Sequence, residues 1–509
     1  MSEASTLIQL LSAGRDDAVA ISAPSTPDLS YGGLRGQISE TVEALQSVGL
    51  TPLDRVAIVL PNGPEMAVAF LAVASAVTSA PLNPGYRAEE FEFYLTDLQA
   101  KALIVEAGST SPAIEVATKL GVPILTLHPT PEAGAGRFIL ETDGLSLGDG
   151  AAPGPVTPDD IALVLHTSGT TSRPKIVPLS QKNVTASARH IKETLHLTPG
   201  DRCLNIMPLF HIHGLIAAVS ASLAAGASVY CTPGFNALKF FAWIDEVKPS
   251  WYTAVPTMHQ AILQRAPRNA EIIQRNRLRF IRSSSSSLPP QVLNELEAVF
   301  GAPVIEAYGM TEAAHQMASN PLPPAKHIAG SVGIAAGPEI VIMDEDGNLL
   351  ARGATGEIVI RGPNVTSGYE NNPKANEAGF TKGWFRTGDQ GVLDGEGYLT
   401  ITGRLKEIIS RGGEKISPRE VDEVLMDHPA VAQVVTFGLP HKMLGEEVGA
   451  AVVLREGMAA SERELRDFCA TRLADFKVPR KILFLPEIPK GATGKLQRIG
   501  LAEKLGLTA

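Results

Sequence analysis

The sequence has few cysteines and no long apolar run. Its three cysteines, Cys203, Cys231 and Cys469, lie far apart and lack the spacing of a metal-ligand set. They are typical of reduced thiols and exclude a disulfide-rich secreted scaffold. The longest apolar run, residues 66–77, is too short to span a bilayer, so a buried helix and no membrane partner are expected.

An excess of basic charge is also missing. The formal net charge is −10, which argues against a nucleic-acid partner because such binding needs a basic face. Net acidity does not oppose ATP binding, since local loops hold phosphates. The N-terminus lacks a secretory signal and the C-terminal Leu-Thr-Ala is not a peroxisomal address, so a cytoplasmic protein is expected. A monomer and a homodimer both remain open.

Short β-rich runs alternate with apolar helical stretches, which predicts an α/β fold with largely parallel sheets. The clearest predicted strands are residues 55–60, 102–106, 161–166 and 279–282. Residues 122–160 are rich in Gly, Pro and Asp and predict a long surface connection. A chain of 509 residues needs two or more domains, and the pattern changes near residue 400. We predict a large domain over 1–402 and a small α/β domain over 403–509.

The strongest local motif, His-Thr-Ser-Gly-Thr-Thr-Ser-Arg-Pro-Lys at 166–175, directly follows a predicted strand. Successive backbone N–H groups in such a loop form an anion nest, and Lys175 adds a positive charge. The spacing is not that of a Walker A loop. Taken alone, a Ser/Thr-rich loop of this kind is more often a solvated turn.

Four further motifs follow in order: Tyr308–Glu312 (YGMTE), 384–389 (WFRTGD), 403–420 (GRLKE, then RGGEKISPRE) and 489–495 (PKGATGK). Together with the loop they resemble the motif set of the adenylate-forming superfamily. That family includes acyl-CoA synthetases, firefly luciferase and the adenylation domains of peptide synthetases. The resemblance implies a large N-terminal α/β domain of several subdomains and a small, mobile C-terminal lid.

By this resemblance, the enzyme activates a carboxylic acid as its adenylate and transfers the acyl group to coenzyme A. The acid attacks the α-phosphorus of ATP and expels pyrophosphate, so two anions must be brought together and their charge neutralised. Glu312 would hold Mg²⁺, Tyr308 would stack on adenine, and Asp389 would bind the ribose with Arg404 alongside. The implied ATP-binding residues are Thr167, Ser168, Gly169, Thr170, Thr171, Lys175, Tyr308, Thr311, Asp389 and Arg404.

The resemblance also implies motion of the lid. Lys495 would reach the carboxylate and α-phosphate during adenylation, and the lid would turn about Lys406. That turn would bring Gly412 and Gly413 to the site for the coenzyme A step, although a Gly-Gly pair alone also suits a simple hairpin turn. The implied catalytic residues are Lys495, His211, Thr167 and Glu312.

The loop departs from the family pattern at two positions. Ser172 and Ile176 stand where the family usually carries glycine. Either change could stiffen the loop. Since the hydroxyl side chains and Lys175 remain, activity is still expected.

The stretches between the motifs bear on the choice of acid. Residues 283–287 are an unbroken serine run, where relatives that bind fatty or aromatic acids carry small and apolar residues. Buried hydroxyls left unpaired by an acyl chain cost about 1–3 kcal/mol each, whereas a small second carboxylate would satisfy them. The wider text resembles the oxalate-activating CoA ligases of plants and fungi within this family. By that resemblance His211, Ser285 and His315 would contact oxalate.

Several alternatives stay open. The acid could be malonate, a medium-chain fatty acid or a 4-coumarate-like aromatic, and His213 could be a core histidine pointing away from the pocket. The serine run could be only a polar loop. Other classes are a non-catalytic nucleotide-binding protein and an adenylation domain that loads a carrier protein.

Overall fold

The structure is a computed structural model and describes residues 4–142, 144–148, 154–167, 174–490 and 496–507. Helices and strands alternate through most of this chain, as an α/β fold requires. None of the helices in these ranges is long and apolar enough to cross a membrane.

The strands within these ranges are β1 (Val19–Ser22), β2 (Leu29–Ser30), β3 (Arg55–Val59), β4 (Thr78–Pro81), β5 (Ala102–Glu106), β6 (Ile124–Pro129), β7 (Phe138–Glu141), β8 (Ile161–Thr167), β9 (Lys175–Ser180), β10 (Arg202–Asn205), β11 (Ser228–Cys231), β12 (Trp251–Ala254), β13 (Phe280–Ser283), β14 (Val304–Met310), β15 (His315–Ser319), β16 (Ile334–Ala335), β17 (Glu339–Met343), β18 (Thr355–Arg361), β19 (Phe380–Thr381), β20 (Trp384–Leu393), β21 (Leu399–Arg404), β22 (Ile409–Arg411), β23 (Glu414–Ile416), β24 (Val431–His441), β25 (Gly445–Leu454) and β26 (Lys481–Phe484).

The α-helices are α1 (Leu7–Leu10), α2 (Tyr31–Ser47), α3 (Pro64–Val73), α4 (Ala88–Asp97), α5 (Pro112–Leu120), α6 (Gln181–Thr194), α7 (Ala221–Ala224), α8 (Phe240–Val247), α9 (Pro256–Leu263), α10 (Ala270–Arg275), α11 (Pro290–Phe300), α12 (Pro373–Gly379), α13 (Pro418–Met426), α14 (Glu462–Ala470) and α15 (Leu501–Lys504). A π-helix covers His213–Ser220, and short 3₁₀ turns cover Leu11–Ala13, Pro131–Ala133, Ala266–Asn269, Thr311–Ala313 and Asp475–Lys477.

Two large sheets form the framework of the N-terminal domain. One has the order β7-β6-β5-β3-β4-β8-β9, and the other has the order β16-β15-β14-β13-β12-β10-β11-β1-β2. Their central pairs are parallel, and their edges are antiparallel. The strands read as continuous apolar runs because helices cover both faces of such sheets. The predicted strands and the parallel α/β class are therefore confirmed.

Two smaller sheets follow. One contains β17 to β21, in which β20 and β21 form an antiparallel hairpin. The other contains β22 to β26 and builds the small C-terminal domain together with α13 and α14. Its β25 and β26 are parallel, and α14 lies between them in the chain, so the small domain contains a βαβ unit.

The predicted surface connection over residues 122–160 is wrong in its first half. Two strands, β6 and β7, lie there and extend the seven-stranded sheet. Burial alternates along Ile124, Leu125, Thr126 and Leu127, which is the period-two pattern of a strand. The Gly- and Pro-rich composition of the surrounding residues concealed this short apolar stretch.

The apolar run at 66–77 forms the buried helix that was expected. Helix α3 begins at Pro64 and ends at Val73, and β4 begins at Thr78. Proline suits the first helical turn because its missing N–H has no intrahelical partner there. The helix is buried on all sides except at Glu65, which explains why it shows no polar face.

The two domains touch along β21 and α13. The Ser417 hydroxyl donates to the carbonyl of Thr402, and Arg419 Nη1 donates to the carbonyl of Ile401 at 2.7 Å. Farther along, Gln260 Nε2 donates to the carbonyl of Ala432 at 3.1 Å. The boundary that we predict after residue 402 falls inside β21, and it stays a prediction.

A buried carboxyl lies near this contact and makes stability depend on pH. Glu306 on β14 accepts a hydrogen bond from the Leu288 N–H at 2.9 Å, and burial raises its pKa from 4.5 to about 7, against the opposing effect of Arg419. The folded protein therefore binds a proton that the unfolded chain has released between about pH 4.5 and 7. This contribution to stability is complete below pH 4.5 and is lost as the pH rises through 7.

We expect Glu306→Gln to remove the loss of stability that ionisation of Glu306 causes at high pH. The amide keeps an acceptor for Leu288 but cannot ionise, so the variant gains stability relative to the parent as the pH rises. The gain is at most about 3 kcal/mol. Thermal unfolding of both proteins at pH 5 and pH 8 measures it, and an equal difference at the two pH values would contradict it.

Candidate active site

The phosphate loop is held by a hairpin. Strands β8 and β9 pair so that Thr167 lies opposite Lys175, which fixes the two ends of the loop side by side. Ser168, Gly169, Thr170 and Thr171, together with Ser172, lie outside the described residues, so their predicted roles stay predictions. Ile176, the second departure from the family pattern, is buried in β9 opposite His166 and extends the strand.

The Lys175 ammonium lies over the ring of Tyr369, 4.3 Å from its centroid, in a cation–π contact. Burial lowers the pKa of Lys175, the negative charge of Glu312 opposes this, and the positive charge of Lys406 adds to it. The predicted phosphate ligand, the predicted metal ligand and the predicted hinge residue are thus within electrostatic reach of each other.

Glu312 lies in a 3₁₀ turn directly after β14. Its carboxylate is buried, and its Oε1 accepts a hydrogen bond from the Tyr369 hydroxyl at 2.9 Å. Burial raises the pKa of Glu312, against the opposing effects of that hydrogen bond and of Lys175. Thr311 begins the same turn and is half-buried. Tyr369 was not predicted, because a single tyrosine in a loop carries no sequence pattern.

Asp389 and Arg404 face each other on β20 and β21. Arg404 Nε donates to Asp389 Oδ1 at 2.8 Å, and the Tyr308 hydroxyl donates to Oδ2 at 2.5 Å. Asp389 raises the pKa of Arg404, and burial raises the pKa of Tyr308. The structure therefore brings these three predicted nucleotide residues together. Each carboxylate oxygen keeps a second lone pair, so Asp389 can still accept from a ribose hydroxyl.

The turn from β14 to β15 depends on Gly309. A Cβ at Gly309 would lie 1.8 Å from the carbonyl oxygen of His315, so only glycine allows the two strands to come this close. This approach places Tyr308 and His315 on the same hairpin, with Glu312 in the turn between them.

The predicted acid-binding residues His211, Ser285 and His315 each contact His213. His213 Nδ1 lies 3.0 Å from Ser285 Oγ, and the rings of His213 and His315 stack with centroids 4.9 Å apart. His211 is half-buried, and its Nδ1 accepts from the backbone N–H of His213 at 3.3 Å. His213 is thus a buried histidine, yet its ring touches the predicted acid ligands.

Two of these residues have unusual backbone conformations. Ser285 has φ +73° and His315 has φ +100°, in the left-handed region that side chains other than glycine rarely adopt. Such conformations persist only where the surroundings enforce them, and they concentrate at functional sites.

Nearby, a Cβ at Gly214 would lie 2.4 Å from the carbonyl oxygen of Pro208, so glycine is required where the π-helix begins.

The serine run is not uniform. Ser283 and Ser284 are buried, and the Ser284 hydroxyl donates to the carbonyl of Ala307 at 2.9 Å. Ser285 and Ser286 are half-buried, and Ser287 is exposed. Ser285 is the member whose hydroxyl contacts the histidines.

Beneath the histidines lies Arg282, fully buried on β13. Its Nη1 is 3.4 Å from both His213 Nε2 and Thr253 Oγ1. Its Nη2 is 3.2 Å from His315 Nε2 and 3.3 Å from Gln316 Oε1. Burial lowers the pKa of Arg282 to about 9, so the guanidinium stays charged at neutral pH. An arginine in a predicted strand, directly after Phe280 and Ile281, was the signal for it in the sequence.

The remaining predicted residues lie in or near the small domain. Lys406 is exposed just after β21, and Gly412 and Gly413 form the exposed turn of the β22–β23 hairpin with φ +59° and +96°. The hairpin-turn alternative thus describes their geometry here. Lys495 lies outside the described residues. Among the residues that the structure describes, no three His, Cys, Asp or Glu side chains form a metal cluster.

Comparison with known proteins identifies the family. A family model described as "AMP-binding enzyme" matches residues 10–370, and one described as "AMP-binding enzyme C-terminal domain" matches residues 420–495. The chain is 47% identical to an oxalate–CoA ligase of Arabidopsis thaliana, over 95% of this chain and 94% of that protein. It is 44% identical to an oxalate–CoA ligase of Saccharomyces cerevisiae, over 88% and 86%.

Among solved structures, ATP-bound MatB from Rhodopseudomonas palustris superposes with a TM-score of 0.88. The two chains are 30% identical, and the match covers 98% of each. The family models together span both domains of the structure. The chain therefore belongs to the AMP-binding enzyme family, with a large N-terminal domain and a small C-terminal one.

Proposed function

We propose that the protein is an ATP-dependent CoA ligase for oxalate, which converts oxalate, ATP and coenzyme A into oxalyl-CoA, AMP and diphosphate. The observation that carries the proposal is the cluster of His213, Ser285 and His315 above the buried Arg282. The two relatives named oxalate–CoA ligase support it, since each matches most of this chain.

The cluster suits a small dianion. Imidazole and hydroxyl groups offer hydrogen-bond donors, and a positive guanidinium lies directly beneath them. A fatty acyl or aromatic group placed here would offer no acceptor to the half-buried Ser285 hydroxyl, at a cost of up to about 1–3 kcal/mol. A second carboxylate one bond from the reacting one would accept from this hydroxyl instead. His211, half-buried beside His213, would contact the reacting carboxylate.

The nucleotide would bind beside Asp389, at the residues that hold its carboxylate. Asp389, held by Arg404 and Tyr308, would bind the ribose, and Tyr308 would also pack against the adenine. Thr167, Lys175 and the loop between them would hold the β- and γ-phosphates. In this arrangement the acid and the α-phosphate meet at the end of β14, between the two groups of residues.

Glu312 fits the role of a magnesium ligand. Its Oε1 accepts from Tyr369, each carboxylate oxygen has a second lone pair for a cation, and Mg²⁺ is usually bound by one or two carboxylates together with substrate phosphates. A lone buried carboxylate is thus a sufficient protein ligand. When bound, Mg²⁺ neutralises negative charge on the triphosphate.

The small domain would supply two further groups in turn. Lys495 would approach the carboxylate and α-phosphate in adenylation, and rotation about Lys406 would then withdraw it. The Gly412–Gly413 turn would next line the path of the coenzyme A thiol, because exposed glycines let the backbone approach a ligand closely.

An acid panel tests the substrate. With ATP, Mg²⁺ and coenzyme A, we expect oxalate to exceed malonate, succinate, acetate, octanoate and 4-coumarate in kcat/KM by about 100-fold or more. A buried polar site rejects analogues that leave its groups unpaired. AMP release and thioester formation are the two readouts.

The outcomes separate the alternatives. If malonate is preferred, the cluster accepts a longer dianion, and if octanoate or 4-coumarate is preferred, the cluster does not line the acid pocket. If no acid releases AMP, the protein is a nucleotide-binding relative without ligase activity. In the same panel, His315→Ala should raise KM for oxalate far more than KM for ATP.

A further inference from the structure

The guanidinium of Arg282 can only donate hydrogen bonds. It is fully buried. Within the described part of the chain, the acidic group that interacts electrostatically with it is the Cys203 thiol and not a carboxylate. Its two terminal nitrogens face ring nitrogens of two histidines, Nη1 facing His213 Nε2 at 3.4 Å and Nη2 facing His315 Nε2 at 3.2 Å. Arg282 therefore acts on both imidazoles at the same time.

A nitrogen that faces a donor must itself be an acceptor. In a neutral imidazole one nitrogen carries the proton and the other accepts, so each ring with an accepting Nε2 carries its proton on Nδ1. A protonated imidazolium would place a second positive charge against a buried guanidinium, and a proton on Nε2 would place two donors face to face. Both arrangements are unfavourable in a buried site.

The position of the Thr253 hydroxyl is consistent with an accepting His213 Nε2. It lies 2.6 Å from His213 Nε2 and 3.4 Å from Arg282 Nη1. The hydroxyl oxygen can accept from Arg282 while its proton goes to His213 Nε2. That nitrogen then has two donors around it and no proton of its own.

The Nδ1–H tautomer of His213 determines how Ser285 hydrogen-bonds. Its oxygen lies 3.0 Å from His213 Nδ1, which is the protonated nitrogen, so Ser285 accepts at this contact. The hydroxyl proton of Ser285 then points away from His213 Nδ1. A serine hydroxyl that already accepts from a fixed donor is oriented to donate to an anion.

We propose that Arg282 is a positioning residue that fixes the Nδ1–H tautomer of His213 and His315, and so orients Ser285 as a donor to the carboxylate of the acid. The step from tautomer to substrate rests on the proposed oxalate ligase activity. The tautomers themselves do not depend on it, because they concern the enzyme without substrate.

The experiment compares the parent enzyme with Arg282→Met and Arg282→Lys. Long-range ¹H–¹⁵N spectra of the enzyme labelled at histidine report which ring nitrogen carries the proton, and His213→Gln and His315→Gln assign the two signals. We expect both rings to be neutral Nδ1–H tautomers in the parent at pH 7.5. In Arg282→Met at least one ring should shift toward the Nε2–H form, and Arg282→Lys should lie between.

Kinetics provide the second readout. We expect Arg282→Met to raise KM for oxalate about tenfold, the effect of one lost or misdirected hydrogen bond, with KM for ATP changed less than about twofold. Arg279→Met is the matched control, because Arg279 precedes the same strand but pairs with Asp201 at 3.0 Å. It should change neither the spectra nor the KM for oxalate.

The outcomes are distinct. A parent spectrum with either ring protonated on Nε2, or doubly protonated, overturns the proposal even if Arg282→Met does not fold. Unchanged tautomers in a folded Arg282→Met overturn it as well. If oxalate fails in the acid panel while the tautomers respond to Arg282, the proposed substrate is wrong and the positioning role stands.

Discussion

Glu312→Gln is expected to reduce adenylation by about 100- to 1000-fold, the usual effect of removing one preorganised electrostatic group from an active site. The substitution keeps the shape of the side chain and an oxygen that can accept from the Tyr369 hydroxyl, so the local fold should persist. What it removes is the buried negative charge beside Lys175. Oxalate-dependent exchange of labelled pyrophosphate into ATP measures this step alone.

Two comparisons sharpen the result. Tyr369→Phe keeps the ring under Lys175 but removes the hydroxyl that holds Glu312, so its effect should stay below about tenfold. A titration of Mg²⁺ should show a higher requirement in Glu312→Gln than in the parent. If exchange persists at the parental rate and at the same Mg²⁺ concentration, Glu312 does not serve the metal.

Lys495→Ala is expected to reduce the same exchange by about 1000-fold or more, comparable to the loss of a positioned cation in phosphoryl transfer. The thioester step should be nearly unchanged, because the proposed mechanism withdraws this lysine before coenzyme A reacts. That step can be followed in reverse, as coenzyme A thiol released when AMP attacks oxalyl-CoA to form the adenylate.

A lysine close by in the sequence provides the control. Lys490 pairs with Glu487 at 2.8 Å on the surface of the small domain, and Lys490→Ala should leave both half-reactions within about twofold of the parent. Equal losses in both half-reactions for Lys495→Ala would show that this residue supports the fold of the small domain and does not act in one step.

The framework was predictable because its signals are local. The strands β3, β5, β8 and β13 were found as apolar runs to within one or two residues, since both faces of a parallel sheet are buried. The β6–β7 pair was missed because its apolar stretch is short and is surrounded by turn residues. A long-range pairing of this kind leaves little trace in composition.

The site was predictable where it follows a motif and less so where it depends on packing. The Tyr308 and Asp389 motifs resemble those of a family, and the structure brings the Tyr308 hydroxyl within 2.5 Å of the Asp389 carboxylate. Tyr369 and Thr253 lie in none of the five motifs that carry the family resemblance, and their importance arises from what they face in three dimensions. The sequence also left open the orientation of His213, which only the packing of its ring against His315 resolves.

The close approach at Gly309 bears on how the specificity of the enzyme can be redesigned. Because the His315 carbonyl lies where a Cβ of residue 309 would be, a substitution that moves β15 also moves Tyr308 and Glu312. A library aimed at new acids through His315 should therefore lose ATP binding in many of its members. Diversity placed at residues 285 and 286, beyond the end of β13, leaves this hairpin intact. Directed evolution of acid choice should begin there.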